Sequence, residues 1–439
     1  MREYQLTVRE HLAHGLLPSE SLPDDLPYWL QIFNLAPGKF GMERAELVTP
    51  SVHREGQIFS TSEMLIVFYE DLLTIYGLMG DIIATERVGF GPWDCVAIGP
   101  FMIAMNGDAI VTIDPATQDI TVGDELSGTP CGRTLCQNNG QLVIGNIVSD
   151  WHGCGANSIT YSRIGDIDCT VDHSNEAGFI NLPTSGAVQK VVGIGPHVVA
   201  CTEDGIFYLS PPEELPGFAV TKVYEKGLIS KRAAASDPRR AILVTTDGVL
   251  SVGRDGAVAE LGFTQYFCGD AEVIYGEKDN TFYITTNGKT YCLIENELFE
   301  HPQVIHSVAR WKSERLGVVS QMGEHDTWQF ATHSLTMDNN SMKTLRSVEF
   351  LGTLPRPQEA FCRVHWKTNM SNWVKTAWKP LFPEPMVVPN ISGVKFRIEM
   401  RGKFSEQEKL QISKLTGRYK TTDRRFIRGA TGATGTQTD

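Results

Sequence analysis

No run of 18 uncharged apolar residues occurs in this chain of 439 residues. The nearest stretch, Met64 to Ile83, is broken by Glu70, Asp71 and Asp81, so no membrane span is expected. The N-terminus, MREYQLTVREHLAHG, lacks the basic-then-apolar order of a signal peptide, and synthesis in a cytoplasm is the expectation. Catalytic signatures are missing as well. There is no G-x-S-x-G elbow, no G-x-x-x-x-G-K phosphate loop and no H-E-x-x-H helix. The run Gly89 to Asp94 is Gly-rich but contains Pro92 and opens no evident helix, so it reads as a turn. The S-x-D-x-G-x-T-W box of sialidases is absent, and His325-Asp326-Thr327-Trp328 is a lone partial echo of it. Glycosidases need two carboxylates placed across a sugar. Asp166, Asp168, Asp172 and Glu176 crowd one stretch, but acids that hold turns and strand edges are the plainer reading. No catalytic residue and no cofactor site is assigned, and the chain is read as a non-enzyme.

Cysteine is scattered and odd in number, at nine. Cys131 and Cys136 stand too far apart for a C-x-x-C knuckle, and Cys154 with its neighbour His152 lacks a second ligand pair. Small buried hydrophobes are expected rather than a metal site.

What the chain does have is a repeated hairpin word. Asn106-Gly107, Asn139-Gly140, Asp204-Gly205, Asp247-Gly248 and Asn287-Gly288 each separate two short apolar strands. Asn-Gly and Asp-Gly favour the type I′ turn, whose twist matches that of the flanking strands. Successive turns lie 33, 65, 43 and 40 residues apart. A four-stranded propeller blade takes roughly 40–45 residues. Three spacings therefore approximate one blade, and the longest reads as a blade with an insertion. Weaker tips at Glu70-Asp71 and near Gly323 to Asp326 bracket the series. An all-β protein is expected, with a propeller of about six or seven blades.

Organisation follows from punctuation and charge. Residues 1–55 read as an extended entry segment broken by Pro18, Pro23 and Pro27, packing with a C-terminal unit. Residues 56–342 are the propeller, and 343–428 a β-rich, sandwich-like platform. In the propeller's long insertion, ITYSRIGDIDCTV reads as a strand bent at Gly165, and Lys222 to Asp237 as a short helix or loop. KFSEQEKLQISK has a capping-box pattern, with Ser405 as N-cap and Glu408 three residues on. A Gly-Ala-Thr tail, 429–439, has too few Gly-x-y triplets for a triple helix. The net charge of −13 conceals an asymmetry. Residues 343–428 hold 18 Lys+Arg against 7 Asp+Glu, a balance of +11, whereas residues 1–342 carry −23. Partners of opposite sign at the two ends are implied: nucleic acid, an acidic neighbour, or the acidic body of the next copy. Trp366, Trp373 and Trp378 interleave with Arg363, His365, Lys367, Lys375 and Lys379. Such interleaving serves base stacking in nucleic-acid grooves, but subunit packing is the favoured reading.

Two further stretches carry a family resemblance. Tyr161-Ser162-Arg163-Ile164-Gly165-Asp166-Ile167-Asp168, followed by Asn175 to Phe179, is the first; Arg418 to Gly429 (RYKTTDRRFIRG) is the second. With the hairpins they resemble β-propeller virion proteins of tailed bacteriophages, in particular the tail nozzle of short-tailed phages. The resemblance spans about residues 60–429. It implies a homohexameric ring below portal and adaptor, within the conduit that retains double-stranded DNA and releases it at infection. Tail fibre or needle proteins are further implied neighbours, and the virion tail is the implied location. Trp366, Trp373, Trp378, Arg418, Arg424 and Arg425 are the candidate subunit or partner interface. The second reading is a ligand-binding propeller, either a glycan-binding receptor module or a glycoside hydrolase.

Overall fold

The computed structural model describes residues 2–421, apart from 8–14, 25, 27, 39–40, 52–54, 100, 115–116, 118, 125, 127, 173–175, 212–216, 278–279, 313, 323–325, 338–340, 355, 370 and 406–409. Arg424, Arg425, Glu408 and the Gly-Ala-Thr tail lie outside the described residues. Among the described residues every regular element is a strand except two 3₁₀ turns, Thr264–Tyr266 and Pro357–Glu359. The chain forms two compact units. One comprises Val48–Ile294 and Gln303–Met322, and the other Met1–Leu47, Glu295–Pro302 and Gly323–Asp439.

The larger unit is a β-propeller. Five of its sheets have four antiparallel strands in chain order, at 57–87, 94–123, 132–181, 188–224 and 234–262; these are blades 1 to 5. Blade 6 is built from Ala271–Gly276, Thr281–Thr286 and Lys289–Ile294. Blade 7 pairs Gln303–Trp311 with Glu314–Met322 and adds Thr49–Pro50 in parallel. The second strands carry continuous apolar runs, such as Met64 to Phe68 and Ala241 to Val244, because both faces are covered by neighbouring blades. The outermost strands, such as Ile82–Arg87, are mostly exposed. Apolar clusters fill the gaps between blades. Phe68, Leu73, Trp93 and Met102 join blades 1 and 2. Ile58, Leu65 and Val67 meet Ala309 and Val318 of blade 7 and close the ring.

Polar side chains clip the blades together. The Gln57 amide bonds both the N–H and the C=O of Trp93, at 2.5 and 2.8 Å. Ser307 does the same for Ile58 across the closure, at 3.0 and 3.2 Å. Asp94 of blade 2 accepts from the Thr134 hydroxyl (2.7 Å) and the Leu135 N–H (3.2 Å) of blade 3, and pairs with Lys190 of blade 4. A buried backbone group without a partner is costly, so each clip both satisfies a strand edge and fixes a blade angle.

The turns explain the irregular spacing. Asn106, Asp204, Asp247 and Asn287 all lie between the second and third strands of their blades, as does Glu70. Asn139-Gly140 instead joins the first and second strands of blade 3. The 65-residue interval is therefore a shift of turn position as well as an insertion. The real second-to-third connection of blade 3 runs through 148–157, and its third and fourth strands are joined through 162–177. Only Asn139-Gly140 and Asn287-Gly288 have both φ angles positive, as type I′ requires. At Asn106 the side-chain Oδ1 accepts from the N–H groups of Asp108 and Ala109, both at 2.9 Å, and builds a wider turn. The expected strand around Gly165 stops at Tyr161, where the chain turns. Lys222 to Asp237 carries no helix but the strands Ala219–Tyr224 and Ala234–Ser236.

The smaller unit contains two sheets, and its strands come from both ends of the chain. In the first, Lys343–Thr353 and Gln411–Thr421 run antiparallel, and Arg2–Thr7 pairs with the latter. In the second, the order is Glu297–His301, Trp29–Phe33, Thr327–Thr332, Lys395–Lys403, Phe361–Lys367. The observed boundary differs from a cut at 342, because Thr327–Thr332 is bonded between Trp29–Phe33 and Lys395–Lys403. Asn34, at φ 56°, takes the chain from one sheet to the other. Its side-chain amide donates to the Thr327 carbonyl at 2.9 Å.

The second sheet's buried face stacks Trp328 on Phe330 and sets Trp29 edge-on to Phe330. A Cβ at Gly402 would stand 2.5 Å from Cζ2 of Trp328. Gly402→Ala is expected to cost about 1–3 kcal/mol through overpacking, read as a lower denaturant midpoint. Beside this sheet, burial holds the His333 imidazole below its ordinary 6.5, while its Nε2 lies 3.2 Å from the Pro23 carbonyl. A depressed folded pKa means the unfolded chain takes up the proton first. Stability is therefore full above pH 6.5 and falls as the pH drops below it. His333→Gln should flatten that slope; an unchanged slope would assign it elsewhere.

Candidate interaction face of the smaller unit

The outer face of the second sheet is built by strict alternation. Along Lys395–Lys403 the apolar Phe396, Ile398 and Met400 are buried, so Lys395, Arg397, Glu399, Arg401 and Lys403 fall on the opposite side. Register places Arg363 opposite Glu399, His365 opposite Arg397 and Phe361 opposite Arg401. On the other flank Gln329 stands opposite Arg401 and Phe33 opposite Gln329.

Glu399 organises this face. Arg363 grips its carboxylate with two N–H donors, and His365 Nε2 and Gln329 Nε2 each lie 2.7 Å from it. Burial by itself would raise this carboxyl, but the Arg363 and His365 donors outweigh it and the net shift is downward. Two tryptophans lie across the cations. Trp378 has Arg363 and Arg401 each 4.3 Å from its ring centroid, and Trp373 has Arg397 at 4.1 Å. Such stacking is worth about 0.5–2 kcal/mol per contact. Beside Arg401 opens a groove of about 640 Å³ walled by Phe33, Thr327, Gln329, Phe361 and Lys403. Lys403 there is paired with Glu359 at 2.8 Å.

Of the residues expected at an interface, Trp373 and Trp378 share this face. Trp366 does not. It alternates with the outward Arg363 and His365, and its Cβ and ring approach Gly393. Arg418 belongs to the other sheet, where it pairs with Glu349 at 3.0 Å. Sequence reasoning missed Glu399, Arg397, Arg401 and Gln329. Its available signal was the period-2 charge of KFRIEMRGK.

Among its described residues the propeller also has cavities. One of about 390 Å³ is lined by the inner-strand residues Ser60, Cys95, Gln137 and Arg310 and by Glu277, just past an inner strand. Burial pushes the Cys95 thiol far above its ordinary range, so it is no thiolate at neutral pH. Burial likewise pushes Cys136, Cys169 and Cys362 up to about 12. The second, of about 570 Å³, has Arg232, Asp270, Glu272, Asn287 and His306 on its wall. Glu272 is engaged by Arg232 there. No Trp, Tyr or Phe lines it among the described residues, so the aromatic platform on which a sugar ring would stack is missing from this wall. In the crowded acidic stretch, Asp168 pairs with Arg163, and Asp166 Oδ1 accepts from the Ile167 N–H at 2.7 Å. These two acids hold a turn.

No family model and no curated protein matches the chain. Solved structures do show similarity. PorZ, an essential surface component of the type-IX secretion system of Porphyromonas gingivalis, is 9% identical over 75% of this chain, with a TM-score of 0.41. The chain spans 46% of the length of PorZ. Hsv2 of Kluyveromyces lactis is 11% identical over 62% of this chain and 100% of its own, with a TM-score of 0.31. Likeness at that level carries nothing about function, and the propeller assignment rests on the sheets described above.

Proposed function

We propose that this protein is a non-catalytic structural component of a bacteriophage tail, a ring-forming part of the head-to-tail conduit. The observation that carries the reading is the Trp–Arg face of the smaller unit. Trp and Arg are the residues that most often anchor protein interfaces, and here they are held in place before any partner arrives. The phage-like stretches at 161–168 and 418–429 supply the assembly class. Charge fits the same role. The −23 balance of residues 1–342 repels a DNA backbone, which keeps a conduit wall from binding phosphates. The +11 balance of residues 343–428 favours acidic neighbours such as an adaptor. Six copies and passage of double-stranded DNA belong to the same proposal. The test is immunogold labelling of purified particles from cells that encode the chain. Label at the tail is expected, and absence of the chain from particles would end the reading.

A further inference from the structure

We propose that the groove beside Arg401 receives an extended acidic segment of a different protein, with Arg401 as the anchor for one carboxylate. The proposal rests on the reading of this face as a contact surface, and adds the chemistry of what it contacts.

Three observations converge. The Arg401 guanidinium carbon lies 4.3 Å from the Trp378 ring centroid and 5.8 Å from that of Phe361, so two aromatic rings hold the side chain in place. Arg363 and Lys403 have carboxylate partners on this face, whereas Arg401 has none among the described residues. The groove it lines has Phe33 and Phe361 on its walls, which fits an aromatic or aliphatic side chain next to the acid. A stacked guanidinium keeps its in-plane N–H edge free, and that edge matches a carboxylate in two parallel hydrogen bonds.

A protein segment fits better than nucleic acid. Glu359 lies in the groove, with its side chain 38% exposed. A continuous run of phosphates would meet this carboxylate, whereas a segment with spaced acids places charge only where Arg401 stands.

The test uses the full chain and a fluorescein-labelled peptide with spaced acids, Gly-Asp-Phe-Gly-Asp-Phe, read by anisotropy. Saturable binding that weakens with salt is expected, with Arg401→Ala and Arg401→Gln each lowering affinity at least tenfold. Arg87→Ala, on the exposed outer edge of blade 1, should leave it unchanged. Circular dichroism and thermal melting show whether each variant is folded, and the two Arg401 variants back each other up. No saturable binding, or equal binding by a folded Arg401 variant, overturns the proposal. So does tighter, Arg401-dependent binding of a six-nucleotide oligo-dT, which would make the groove a nucleic-acid site. Self-association lost in Arg401→Ala would assign the groove to a second copy and also overturn it. Peptide failure with tail labelling intact would remove this inference alone, while peptide binding without tail labelling would remove the phage role alone.

Discussion

Replacing Asp94 by Ala should lower the thermal midpoint of the propeller more than any other single change considered. Asp94 and Lys190 are each only 18% exposed at the side chain, and the Asp94 carboxylate ties blade 2 to blades 3 and 4 at once. The Thr134 hydroxyl that donates to it also accepts the Val191 N–H at 3.2 Å, so three inner strands share one polar junction. Removing the acid strands Lys190 in a site with little water and unpairs the Leu135 N–H. Breaking a buried pair from one side costs about 3–5 kcal/mol. At roughly 2–4 °C per kcal/mol for a unit of this size, the midpoint should fall by ~6–20 °C. Asp94→Asn should cost less, because the amide oxygen still accepts from Thr134. Adding Lys190→Met to Asp94→Asn should recover much of the loss, since the unpaired cation is then gone. A change below about 0.5 kcal/mol for Asp94→Ala would place the blade junctions elsewhere.

The second large effect belongs to Glu399. Its side chain is 5% exposed and receives Arg363, His365 and Gln329 together. Glu399→Ala leaves three donors without their common acceptor and should destabilise the smaller unit by about 3 kcal/mol. Arg363 also underlies Trp378, so the indole should lose its seat, read as a red shift in tryptophan emission that is absent when Glu399→Ala is made together with Trp378→Phe. The pH dependence has a fixed sign. The folded carboxyl lies below its ordinary 4.5, so its contribution is full above pH 4.5 and is lost as the pH falls through the folded value. Glu399→Gln should remove that acid-limb slope while retaining the side chain's shape. A slope that survives the substitution would mean other carboxylates carry it.

Much of the larger unit was legible because a propeller repeats its message. Blades 1, 2, 4, 5 and 6 each have an apolar second strand followed by a polar tip, and Asp204, Asp247 and Asn287 fall at the same place in successive blades. Asn139-Gly140 broke the count because turn chemistry marks a hairpin and not its rank within a blade. Blade 7 was harder to read. Its third strand is Thr49–Pro50, two residues drawn from the far end of the chain, with no local pattern to announce them. In the smaller unit, tryptophan and arginine drew attention to Trp373 and Trp378, but composition does not distinguish the two faces of a strand. Trp366 is one residue out of phase with Arg363 and His365 and so lies on the other side of its strand. Glu399 escaped because a single acid among cations reads as solvated. Only register, which sets it opposite Arg363, shows it as the hub.

Cryo-electron microscopy of the purified full chain, with mass photometry of the same sample, tests the central claim most directly. The account predicts closed rings, six copies in each, whose population grows with protein concentration. Particles of a single chain at every concentration, with no ring among the image classes, would contradict it.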